Sequence, residues 1–219
     1  MNYFVNEDLA EETGIHAGDG SMNVYKNNGS LYTVACHKDD DREYMDNVIL
    51  PLIKKIYGKT PKPRNWSQGT YGFRICSKSI IEFKNQTLGL PLGKKDNIRI
   101  PEIIYNDKKL ILPFLRGLFD TDGSVYIWSR ANRRTQLYPR IYFSSISKIL
   151  VWQVREALIK AGFRVSYCEI VSKKPNEQNV YRLALNGVEM TTKWVEEIGF
   201  HNPKNIKKLL SIGIKHKIL

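Results

Sequence analysis

Two Asp-Gly dipeptides, Asp19-Gly20 and Asp122-Gly123, stand 103 residues apart in a chain of 219, and each closes a run of helix-forming residues. An acid at the C-terminal end of a helix meets the negative end of the helix dipole and loses about 0.3–1 kcal/mol. Two such acids at matching places need a compensating partner. If the two helices lie side by side, both carboxylates arrive at one end, where shared divalent cations offset the dipole and their mutual repulsion. Asp19 and Asp122 are therefore candidate ligands of one metal centre.

The helices that must position them run from Leu9 to Asp19 and from Leu112 to Asp122, with Pro113 suited to a first turn and Gly123 to a C-terminal cap. Gly14 and Gly117 lie inside these runs, where glycine costs about 1 kcal/mol relative to alanine. Close approach of the two helix backbones is the expected return, with Gly18 and Thr121 keeping the contact narrow. A calcium-binding loop starting at Asp120 is excluded, because Val125 stands where that loop needs glycine and Ala131 where it needs glutamate.

The elements after each dipeptide repeat in the same order. Ser21, Asn23 and Tyr25 alternate with Met22 and Val24, followed by an Asn27-Asn28-Gly29 turn and a return strand from Leu31 to His37. In the second half Ser124, Tyr126, Trp128 and Arg130 alternate with Val125 and Ile127, and Arg140, Tyr142 and Ser144 with Ile141 and Phe143. Helical spacing marks 44–56 and 149–161, strands are expected over 71–76, 165–171 and 180–185, and closing helices over 79–88 and 188–198. Each half reads α-β-β-α-β-β-α. The expected organisation is a half over 1–92, a breaker-rich linker over 93–109, and a second half over 110–219 ending in a basic helix with Lys204, Lys207 and Lys208.

A formal charge of +12, spread over both halves, points to a nucleic-acid partner, because lysine and arginine release counterions from phosphates. Cys36, Cys76 and Cys168 lack the spacing of a zinc site or a disulfide framework and read as reduced thiols. No apolar run approaches a membrane span, and Glu7, Asp8, Glu11 and Glu12 make the N-terminus too acidic for a transit peptide. The expectation is a cytoplasmic protein without a membrane partner.

Leu115-Arg116-Gly117-Leu118-Phe119-Asp120-Thr121-Asp122-Gly123 resembles the nine-residue motif that names the LAGLIDADG family, differing at Arg116, Phe119 and Thr121. The first copy keeps Gly14, Asp19 and Gly20. The resemblance implies an α+β fold of two pseudosymmetric α-β-β-α-β-β-α halves packed through the motif helices, their antiparallel sheets forming a DNA-binding saddle. It implies a monomeric, intron-encoded homing endonuclease that cuts both strands of a long duplex. Asp19 and Asp122 would then bind Mg²⁺, with Mn²⁺ a substitute, assisted by the carbonyls of Gly18 and Thr121. Asp120, matched by Ala17 in the first copy, is not expected to be catalytic. His37 and Lys38, and in the second half Ser145 and Ser147, are candidates for organising solvent. The wet strand faces would read the major groove through Ser21, Asn23, Tyr25, Ser124, Tyr126, Trp128, Arg130, Arg140 and Tyr142, while Lys54, Lys55, Arg133 and Arg134 would meet phosphates. The same scaffold also serves maturases that bind their own intron RNA, and inactive DNA-binding regulators. A protein-splicing element is not expected, since Met1 offers no splicing nucleophile and His201-Asn202 leads into Pro203.

Overall fold

The computed structural model describes residues 3–26, 29–66, 69–130, 133–172, 174 and 177–215, with the backbone alone at 130 and 133–136. Helix α1 (Glu7–Asp19) starts at Asn6, whose side chain accepts the Leu9 N–H at 3.0 Å. Strands β1 (Gly20–Val24) and β2 (Ser30–His37) follow. Helix α2 has α-helical ends, Arg42–Tyr44 and Leu50–Tyr57, around a π-helical stretch, Met45–Ile49. Pro51 lies just past that stretch and has no N–H to donate, while the Leu50 N–H reaches back to the Met45 carbonyl. Strands β3 (Arg64–Asn65) and β4 (Thr70–Cys76) and helix α3, Lys78–Glu82 continued by the π-helical Phe83–Thr87, complete the first half.

A short helix α4 (Glu102–Tyr105) precedes the second motif helix α5 (Lys108–Thr121). Then come β5 (Gly123–Arg130), β6 (Arg133–Ser145), α6 (Lys148–Lys160), β7 (Val165–Ile170), β8 (Val180–Asn186), α7 (Gly187–Glu197) and α8 (Pro203–Leu210). Both sheets are antiparallel and share one topology, β1-β2-β4-β3 and β5-β6-β8-β7. Their registers also correspond: Gly20 pairs with Val34 as Gly123 pairs with Phe143, and Val34 with Phe73 as Phe143 with Leu183. Two α-β-β-α-β-β-α halves are thus present.

Helix α1 is buried from Leu9 to Ala17, packed between its own sheet and α5. Its half buries Ile15, Met22, Tyr32 and Phe73; the other buries Phe114, Phe119, Phe143 and Trp194. Burial of α1 extends to its acids. Glu12 and Lys84 are both fully enclosed with Nζ–Oε2 at 2.6 Å, and Glu12 also accepts the hydroxyls of Tyr32 at 2.5 Å and Tyr57 at 2.9 Å. These bonds make an otherwise costly buried charge tolerable.

Four expectations are corrected. Helix α5 begins at Lys108, capped by the Asp107 side chain on the Lys109 N–H at 2.7 Å, so Pro113 is interior. Gly123 is not a left-handed cap, since neither it nor Gly20 has a positive φ. They are glycines because a Cβ would stand 2.6 Å from the His16 Cα and 2.7 Å from the Phe119 Cα. Val24, expected inside, is exposed where β1 runs past the core, and Tyr25 lies beyond the strand. The 93–109 segment is no loose tether: Ile98, Ile100 and Ile104 are buried, and Ser147 and Gln153 hydrogen-bond the backbone at Ile98 and Ile100. Asn27 and Asn28 of the expected turn lie outside the described residues.

Candidate active site and nucleic-acid face

Helices α1 and α5 meet through their glycines. A Cβ on Gly14 would collide with the Phe114 carbonyl, one on Gly117 with the Glu11 carbonyl, and one on Gly18 with the Thr121 hydroxyl. Arg116 crosses the seam, its NH2 2.8 Å from Glu11 Oε2. Contact this close brings the C-terminal ends of the two helices together, and with them Asp19 and Asp122. The Asp122 carboxyl carbon would lie 3.3 Å from a Cβ on Gly18, the residue before Asp19.

Burial first, then the charges of Asp122 and Asp41, push the Asp19 carboxyl up to about 7; Lys95 and Lys204 oppose the rise. Asp122 is also raised by desolvation, with Lys95 pulling it back, although its side chain is open to solvent on one side. Lys95 is the group that sequence reasoning missed. Its Nζ donates to the carbonyls of Ala17 at 3.0 Å, His16 at 3.4 Å and Gly18. The ammonium caps the negative end of α1 and sits in the field of both carboxylates, which sustain its charge against burial. The Gly18 carbonyl, expected to face a metal, is engaged by this lysine. Beside Asp19, Asp41 accepts Lys204 Nζ at 2.6 Å and Asn202 Nδ2 at 2.8 Å.

Several other polar groups near the seam are occupied. Asp120 accepts the backbone N–H of His201 at 2.8 Å and of Asn202 at 3.0 Å, and burial drives it up to about 7 against those bonds. Glu11, Asp120 and His201 bring ligand atoms within 4.8 Å of one another. Arg116 and His201 already engage Glu11, however, and peptide N–H groups engage Asp120, so this cluster is a hydrogen-bonded joint. His37, at the exposed end of β2, accepts the Asp40 N–H on Nδ1 at 3.3 Å. The Thr121 hydroxyl bonds back to Gly117 and Leu118.

Residues 109–199 match the family described as the LAGLIDADG-like domain. The second half thus carries a LAGLIDADG-like domain, and the chain has the LAGLIDADG fold. The structure of I-DmoI in complex with DNA and Ca superposes with a TM-score of 0.62 at 18% identity, covering 94% of this chain and 97% of that one. I-SmaMI bound to uncleaved DNA gives 0.54 at 12% identity, covering 94% and 89%. In sequence, the Methanocaldococcus jannaschii replication factor C small subunit is 29% identical over 94% of this chain, and the Thermococcus litoralis DNA polymerase 28% over 91%. The chain spans only 10% and 11% of the length of those two proteins.

On both sheets, the strand faces turned from the core carry the expected side chains. Ser21 and Asn23 are half-exposed on β1; Ser124, Tyr126 (51% exposed) and Trp128 (42%) project from β5, and Arg140 and Tyr142 from β6. Arg130 closes β5, but its side chain, like those of Arg133 and Arg134, is outside the described residues. Neighbouring strands add side chains that were not anticipated: Arg74, over the Trp66 ring at 4.7 Å, and Arg182, whose Nε donates to Ser144 Oγ at 3.0 Å. Their alternation was readable in the sequence, but which strands would flank the β1-β2 and β5-β6 pairs was not.

Proposed function

We propose that this chain is a site-specific endonuclease that makes metal-dependent double-strand breaks in a long DNA target. The observation that carries the proposal is the convergence of Asp19, Asp122 and Lys95 at the shared end of two helices joined by glycine contacts. Carboxylate and helix-end carbonyl oxygens form a hard donor set suited to Mg²⁺, with Mn²⁺ a substitute. Asp19 and Asp122 would hold the ion, and the ammonium on the α1 carbonyls occupies a place where positive charge is already favoured. Bound there, a divalent cation would supply Lewis-acid stabilisation of charge on the phosphate and the leaving oxygen. Lys95 Nζ adds a second positive charge beside the oxyanion that develops. Asp19, raised to about 7, would give up its proton readily to a bound cation at neutral pH.

The two halves supply one carboxylate each, so a monomer working on duplex DNA inside the cell is sufficient. The exposed strand faces and the +12 charge support DNA as the partner. Similarity to a replication factor, a polymerase and the Bacillus subtilis ribonucleoside-diphosphate reductase NrdEB subunit alpha (24% identical, 16% of its length) supports a module carried inside unrelated genes, whether as an intron product or in frame.

The test is incubation with Mg²⁺ and a library of long duplexes, followed by sequencing of the ends. A break of fixed short stagger, lost in Asp19→Asn and in Asp122→Asn, is expected. Sequence-specific binding with no cleavage in either Mg²⁺ or Mn²⁺ would rule the nuclease reading out.

A further inference from the structure

The two sheets are alike in topology and register but not in the chemistry of their exposed faces. On the second sheet, Arg140 NH1 donates to the Tyr142 hydroxyl at 3.0 Å, and its guanidinium lies over Tyr138 at 5.3 Å. Its Nε is shielded from solvent and finds no acceptor among the described residues. Arg182 lies over Tyr142 at 5.7 Å while Ser144 holds its Nε. Tyr126 flanks the group, 6.4 Å from Tyr142 between ring centres. Each guanidinium is thus held against an aromatic ring before any ligand arrives, so little side-chain entropy remains to be lost on binding.

The register gives the counterparts in the first half. Aligning Gly20–Val34–Phe73 with Gly123–Phe143–Leu183 places Thr33 where the second sheet has Tyr142, Leu31 where it has Arg140, and Gly72 where it has Arg182. Gly72 cannot be exchanged for arginine without cost, because its Cβ would stand 2.8 Å from the Ala35 Cα. The arginine of the first sheet, Arg74, takes the position of Ala184 and leans on Trp66 instead.

We infer that Arg140 and Arg182 are specificity-determining residues that read guanines in the half-site under the second sheet, and that the first half has no equivalent of this pair. A planar fork presented to the major groove matches guanine O6 and N7, whereas an ammonium does not. Arg182 lies opposite Ser144, level with Asp122 on the extended register, so its base lies on the side nearer the cut. Arg140 is four residues further along β6, about 13 Å or four base-pair steps if the strands follow the groove.

The inference rests on the DNA-reading role proposed above, and its test separates the two. Binding selection from a random duplex library in Ca²⁺ is run with the wild-type chain and with Arg140→Lys, Arg182→Lys, Tyr142→Phe and Arg74→Lys. Arg140→Lys and Arg182→Lys each relax guanine preference by about tenfold at one position of the same half-site, with the rest of the motif retained. Tyr142→Phe, which frees Arg140, weakens that arginine's position alone, and Arg74→Lys leaves both positions unchanged. Uniform weakening across all sequences, with a shallower salt dependence, would assign the arginines to phosphates and overturn the inference while leaving DNA recognition standing. A wild-type selection that enriches no duplex motif would overturn the DNA-reading role itself.

Discussion

Gly14 of the first motif helix packs directly on the backbone of Phe114 in the second: a Cβ there would collide with the Phe114 carbonyl and stand 2.8 Å from the Leu118 nitrogen. Gly117 makes the reciprocal approach: a Cβ there would collide with the Glu11 carbonyl and stand 3.0 Å from the Ile15 nitrogen. The obstacles are main chain and cannot swing aside.

Gly14→Ala and Gly117→Ala are therefore expected to force the helices apart. Each should destabilise by about 1–3 kcal/mol, although alanine favours a helix. Urea denaturation at neutral pH measures this, and an unchanged or raised midpoint contradicts the close pairing.

Asp19 lies up at about 7 in the folded chain, against 3.8 for an unperturbed aspartate. A carboxyl whose folded value is raised binds its proton more tightly in the native state. Its ionisation then weakens folding progressively from about pH 4 to 7, and fully above that. In EDTA, Asp19→Asn should accordingly raise the melting temperature at pH 8, with the gain shrinking to nothing near pH 4. Asp122→Asn should follow with the same sign. A gain as large at pH 4 as at pH 8 is incompatible with this account.

Lys95 holds Asp19 down electrostatically and caps α1. Lys95→Met should move the acid limb of the cleavage profile to higher pH, because Asp19 then titrates higher. On the proposed reading it also slows single-turnover cleavage by about 100-fold, with DNA affinity in Ca²⁺ little changed. A slower reaction with an unmoved acid limb would place Lys95 away from Asp19 in function.

Lys84 and Glu12 are a fully enclosed pair inside the first half. Lys84→Met leaves a buried carboxylate with two tyrosine hydroxyls and no counter-charge, at a cost of about 3–5 kcal/mol. Adding Glu12→Gln should recover much of that loss, since an amide still accepts from Tyr32 and Tyr57. Additive effects in a double-mutant cycle would show that the two side chains act independently.

The order of elements in each half was legible because strand and helix periodicity are local, and because two copies of one pattern 103 residues apart reinforce each other. The role of Gly14 and Gly117 as places of close approach was legible for the same reason: glycine inside a helix has few other uses. Other features misled. Helix α1 is wrapped on every side, so it lacks the polar face that would have set its ends, and Glu11 and Glu12, which in the sequence only make the N-terminus acidic, are buried ion-pair partners. Gly123 suggested a cap, since a preceding turn of helix pressing on the chain leaves no mark in the sequence.

What the sequence determined by itself was two acids at the ends of two like helices, followed by like sheets. Only the tertiary structure decided what surrounds those acids. Lys95, Asp41 and Lys204 come from a connecting segment, a loop and a helix far along the chain. Equally, β8 had to pair with β6 before Arg182 could join Arg140 over Tyr142. Coulombic and desolvation effects depend on distance and burial, and both are properties of the packed chain.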